Sequence, residues 1–141
     1  MGDDQSASLT TYELTGTRIS PHRMRVDTGE AEFDVDTDVN PIEYLLGSAV
    51  GCLNFTATRV AREMDLDVEG LEATVEGDID YARFKGEETD ARSGLQDVRI
   101  TLSVDADADD ETLSEWLAAV EDRCPVTDTL TGGTGLAVER R

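Results

Sequence analysis

The stretch NPIEYLLGSAVGCLNFTATRVAREM, residues 40–64, decides how this chain is read. Asn40 is a good N-cap, and Pro41 suits the first helical position, where its missing N–H costs nothing. Glu43 falls at the capping-box position. Leu45, Leu46, Ala49, Val50, Leu53, Ala57, Val60 and Met64 recur at helical spacing. The spacing predicts one helix over 41–64, about 35 Å long at about 1.5 Å per residue. Its first half, IEYLLGSAVGCLNF, is apolar on nearly every side. A helix of that kind wants burial all round. A single small chain can hardly supply it, so the pattern predicts a partner chain.

Working outward, residues 9–19 (LTTYELTGTRI) are rich in Thr, Tyr and Ile and read as a strand. Ser20-Pro21-His22 forms a turn, residues 23–27 alternate, Thr28-Gly29 turns again, and residues 30–36 alternate with Ala31, Phe33 and Val35 on one face. This predicts a three-stranded meander before the helix. After it, residues 71–84 and 95–104 read as a hairpin joined by the polar loop KGEETDARSG. Leu113, Trp116, Leu117 and Val120 mark a second helix over 109–122, CPVTDTL starts a short third helix, and GGTGLAVER reads as a glycine turn and a final strand. The order is β-β-β-α-β-β-α-β around a long central helix, an α+β pattern with hairpins rather than parallel crossovers. It fills one domain over residues 1–141, with the polar residues 1–8 expected to be flexible.

Composition narrows the function. The 141 residues include 32 acids and 12 bases, a net charge of −20. Nucleic-acid binding needs clustered Lys and Arg, so that class is excluded, and an anionic membrane surface is excluded on the same ground. No run approaches a membrane span, and no signal peptide is readable, so a cytoplasmic location is expected. The acids are scattered and accompanied by periodic apolar residues, unlike a disordered acidic tail. Lys85 is the only lysine, and the remaining bases are arginine. That balance fits a high-salt cytoplasm, as in a halophilic archaeon, where salt screens self-repulsion.

Two cysteines are the candidates for chemistry. Cys52 lies mid-helix near the edge of the apolar stripe, where a small core residue is the competing reading. Cys124 precedes Pro125 and becomes an N-cap if the short helix forms, which favours a thiolate. A static disulfide does not suit a reducing cytosol. No cofactor or metal site is expected: Asp34-x-Asp36-x-Asp38 and residues 105–110 both lack the glycine and glutamate of a calcium loop. TGGTG at 131–135 lacks the lysine of a phosphate loop.

NPIEYLLGSAVGC (40–52) and CPVTDTL (124–130) together resemble the two cysteine motifs of the OsmC/Ohr family, and the element order resembles that family along nearly the whole chain. The resemblance implies an intertwined homodimer and a thiol-dependent peroxidase acting on small-molecule organic hydroperoxides or hydrogen peroxide. On that reading Cys52 is the peroxidatic thiol, Cys124 resolves its sulfenic acid as a disulfide, and an external dithiol reduces the disulfide. It also implies an arginine from the N-terminal strands beside the thiolate, with Arg18, Arg23 and Arg25 all in the right region. Glu43 either holds that arginine or only caps the helix. The alternative is a non-catalytic binding protein of the same fold for a small apolar or thiol-bearing ligand.

Overall fold

Backbone pairing begins where two alternating segments first lie opposite each other. In the computed structural model, which describes residues 8–141, these are β1 (Thr15–Ser20), β2 (Arg23–Asp27) and β3 (Glu32–Val35). They form an antiparallel sheet in the order β1-β2-β3, with Thr17 opposite Arg25 and Arg25 opposite Asp34. The predicted first strand is shorter than its pattern. Pairing starts at Thr15 because its partner Asp27 ends β2 at the turn that Gly29 makes with φ +95°. Residues 9–14 therefore have no strand opposite them, and Leu9 and Tyr12 are exposed. This sheet and the chain through Tyr44 make one compact unit, and Leu45–Arg141 makes a second.

The long helix α1 (Pro41–Glu63) starts in the first unit and runs through the second. Its start is the capping box expected from sequence. The Asn40 Oδ1 accepts from the Glu43 N–H at 3.0 Å, and the Glu43 carboxylate accepts from the Asn40 N–H at 3.0 Å. Both satisfy backbone donors that the helix leaves unpaired.

The second unit adds β4 (Val68–Ile79), β5 (Leu95–Ala106), α2 (Asp110–Arg123) and α3 (Pro125–Thr131). β4 and β5 form a two-stranded antiparallel sheet in register from Val68↔Ala106 to Ile79↔Leu95. Its solvated face carries Arg99 among Glu76, Asp78 and Asp97, with a two-pronged bond to Asp78 at 3.0 and 3.3 Å. β4 ends at Ile79, short of the predicted residue 84. The Asp80 side chain accepts the Ala82 N–H at 2.9 Å and folds the chain into a turn instead. At Gly77 an added Cβ would lie 2.8 Å from Leu95 Cδ2 and 3.5 Å from the Leu46 methyls, so this glycine allows the close approach.

The core joins α1 to α2. Leu53, Ala57, Val60 and Ala61 pack with Trp116, Val120 and Cys124, and Leu71, Ile100 and Val104 of the sheet lie against them. Trp116 is almost fully buried, and its Nε1–H donates to the Ala57 carbonyl at 3.0 Å, so burial leaves no orphaned donor. Asp109 caps α2, accepting the Thr112 N–H at 2.8 Å. α3 follows with Cys124 as its N-cap and Pro125 next. The expected closing strand is not formed. Residues 133–141 lack regular structure, and Leu136 and Val138 are about nine-tenths exposed, 89% and 90%. A strand forms only by pairing with another, and this segment pairs with none of the described strands. No helix among those residues is long and apolar enough to cross a membrane.

Candidate functional site

The second unit brings the two cysteines together from opposite ends of its sequence. Cys52 sits on the face of α1 turned toward the junction between α2 and α3, and Cys124 sits at that junction. Both are free thiols; Cys52 is half-buried and Cys124 fully buried. Their side chains interact directly. Thr56, one turn beyond Cys52, lies against both sulfurs, and its hydroxyl donates to the Cys52 carbonyl at 2.9 Å.

The pair is electrostatically asymmetric. Burial pushes the Cys52 thiol above its ordinary value, and its contact with Cys124 adds to this, although the Val126 backbone works against it. Burial also opposes ionisation of Cys124. There, however, the Thr127 hydroxyl and backbone N–H, together with the Cys52 and Thr56 side chains, outweigh it, and the thiol is held below its ordinary value. Cys124 is therefore the readier thiolate of the two within this unit.

Cys52 borders a cavity of about 270 Å³ lined with Phe55, Thr56, Arg59, Arg123 and Pro125. Phe55 is 79% exposed at its rim. Two of these residues, Arg59 and Arg123, were not singled out from sequence. A signal was present. Cys52, Thr56, Arg59 and Glu63 stand at i, i+4, i+7 and i+11, within an arc of about 60° around the helix. Arg123 is the neighbour of Cys124. Glu63 joins the two arginines: it accepts from Arg123 at 2.8 and 3.0 Å, and pairs with Arg59, whose Nε lies 3.5 Å away. Asn54, two residues from Cys52, lines different grooves and not this cavity.

The remaining candidates belong to the first unit. Arg23 and Arg25 share one face of β2. Arg25 pairs with Asp34 at 3.0 Å, and Arg23 with Asp36 at 3.4 Å. The Arg25 guanidinium holds the Asp34 carboxyl below the usual range. Arg18 stands opposite Met24, on the other face, and makes no ion pair among the described residues. Glu43 is engaged in the capping box. Asp36 also closes a turn by accepting the Asp38 N–H at 2.9 Å. The predicted sites thus divide: the cysteines meet in the second unit, and the arginines and Glu43 lie in the first.

The family model for OsmC-like proteins matches residues 29–139, which include both cysteines, the capping box and all three helices. The chain belongs to the OsmC-like family. Solved structures share the fold. An OsmC-like protein from Mycoplasma pneumoniae superposes with a TM-score of 0.76 at 20% identity, over 87% of this chain and 89% of its own. A hypothetical protein from Aquifex aeolicus gives 0.72 at 14% identity, over 87% and 89%. The organic hydroperoxide resistance protein OhrB of Bacillus subtilis gives 0.57 at 22% identity, over 89% and 93%. No curated protein matches the sequence significantly.

Proposed function

We propose that this OsmC-like chain is a thiol-dependent peroxidase that reduces organic hydroperoxides or hydrogen peroxide through Cys52 and Cys124. The observation that carries the reading is the meeting of two free thiols, one bordering a cavity and the other buried behind it. Hydroperoxide-resistance proteins among the structural neighbours agree with it.

In the first step Cys52, as thiolate, attacks the terminal peroxide oxygen. The O–O bond breaks, the alcohol or water leaves, and Cys52 becomes a sulfenic acid. Cys52 takes this role because it is the thiol that borders the cavity. In the second step Cys124 attacks the Cys52 sulfur, the S–S bond forms, and the oxygen departs as water. Its depressed pKa suits this step, since the attacking group must be a thiolate. An external dithiol then exchanges with the disulfide and restores both thiols.

The first step requires a cation that this unit's own groups do not set against Cys52, whose pKa burial raises. One of Arg18, Arg23 and Arg25 supplies it in the working homodimer. Exposed apolar groups support the dimer: Leu45 and Phe55 on α1, and Leu136 and Val138 near the end of the chain. The protein works in the cytoplasm of a salt-rich cell. The raised Cys52 pKa favours a second reading, a binding protein that keeps its thiol neutral. Peroxide consumption separates the two. Cys52→Ser is expected to abolish it, and Cys124→Ser to allow about one turnover before over-oxidation. Consumption that survives in Cys52→Ser contradicts the peroxidase mechanism.

A further inference from the structure

Arg123 is the residue before Cys124, and its guanidinium is gripped by both oxygens of Glu63, at 2.8 and 3.0 Å. Glu63 lies on the same stripe of α1 as Cys52, three turns further along. α2 is therefore fastened to α1 at two points, the second of them next to the α2–α3 junction. One is the Trp116–Ala57 hydrogen bond inside the core, and the other is this ion pair at the helix ends. The sulfurs lie beside this fastened stretch: Cys52 precedes Ala57 on α1, and Cys124 directly follows Arg123. Arg59, one turn before Glu63, braces the same carboxylate from the cavity side.

We propose that Glu63 and Arg123 form a positioning clamp that sets the register of Cys124 against Cys52 and so favours the bond between them. Neither residue touches the reacting sulfurs; they act through the backbone that carries Cys124. Two parallel N–H···O bonds fix orientation as well as distance, which a single ammonium cannot do. A disulfide accepts only a narrow range of sulfur placements, so a small drift of the junction costs bonding competence. The clamp rests on the two-cysteine reading of the site.

The test is the equilibrium between the paired thiols and the Cys52–Cys124 disulfide in buffers of reduced and oxidised glutathione. The two thiols give up two electrons and two protons, the glutathione disulfide bond breaks, and two glutathione thiols form as the protein S–S bond closes. Acid quench and mass spectrometry read the ratio. Glu63→Gln and Arg123→Lys are each expected to shift it about fivefold toward the thiols, the scale of one well-oriented, partly exposed ion pair. Melting temperatures close to wild type would show that the fold is intact. A wild-type ratio in either folded variant overturns the clamp, as does a wild-type protein that forms no Cys52–Cys124 bond in any such buffer. Should Glu63→Gln fail to fold, Arg123→Lys, which keeps the charge and loses the fork, decides the matter. Peroxide takes no part in this measurement. A chain that pairs its cysteines in glutathione but leaves hydroperoxides untouched overturns the peroxidase reading and leaves the clamp standing.

Discussion

Cys52 and Cys124 differ in environment more than in chemistry. Burial acts on both, yet only Cys124 has enough donors turned toward it to favour the thiolate. Sulfur reactivity follows the thiolate fraction multiplied by access. Within this unit neither thiol combines both, since Cys124 is buried and burial raises the Cys52 pKa. Without the arginine of the proposed homodimer, alkylation of Cys52 by iodoacetamide is therefore expected to need pH beyond the ordinary thiol value near 8.5. Peptide mapping at a series of pH values measures it. Full labelling of Cys52 at pH 7 would show that an arginine already stabilises its thiolate. The asymmetry was only half legible in the sequence. Cys124 could be read as an N-cap from Pro125 alone. The partners of Cys52 could not, because Val126 and Cys124 become its neighbours only after α2 has turned the chain back.

At the scale of elements, Glu43 shows how one residue can satisfy two descriptions. Its carboxylate completes the α1 capping box, and an arginine-holding role remains a proposal. Glutamine also completes a capping box. Glu43→Gln is thus expected to leave thermal stability near wild type, whereas Asn40→Ala loses the cap and costs about 1 kcal/mol. Chemical denaturation measures both. Loss of peroxide consumption in Glu43→Gln without loss of stability would assign the carboxylate to the arginine. Elements carrying their own signals were legible: the cap and apolar stripe of α1, the alternation of β2, the Trp116 stripe of α2, and Pro125 before α3. Strand ends were not. Residues 9–14 have strand-like composition and 133–141 follow a glycine turn as a strand could, but a strand ends where its partner ends, and no pattern in one segment reports the length of another. The Cys52–Thr56–Arg59–Glu63 stripe was visible as a pattern but not as a site. Its meaning depends on Arg123, sixty residues away in sequence from Glu63.

For the whole molecule, the net charge of −20 sets two opposed responses. Salt screens repulsion among the 32 acids, and it also weakens exposed ion pairs worth about 0–1 kcal/mol each. Repulsion is the larger, because most acids have no base to pair with. The melting temperature is therefore expected to rise from low to molar KCl, and a fall would contradict the high-salt reading. Acid acts through specific groups. Asp34, Glu63 and Asp78 are held below the ordinary carboxylate range by Arg25, Arg123 and Arg99, and Asp109 by its bonds to Thr112. The native state binds fewer protons at these sites than the unfolded chain does. Their contribution is intact above the ordinary values of about 4 and is lost as pH falls through the lower folded-state values. Melts in molar KCl, which suppresses net repulsion, should be flat down to about pH 4.5 and decline below it. A melting temperature that holds constant to pH 2 would show that these pairs contribute nothing.

The central claim is that peroxide oxidises Cys52 and that Cys124 captures the product. Mass spectrometry of the protein after one equivalent of cumene hydroperoxide tests this most directly, with proteolysis under acid to prevent exchange. The account predicts a peptide joining Cys52 to Cys124, lighter by two hydrogens than the two thiol peptides together, and none from Cys52→Ser. Two unmodified thiol peptides after peroxide treatment would contradict it.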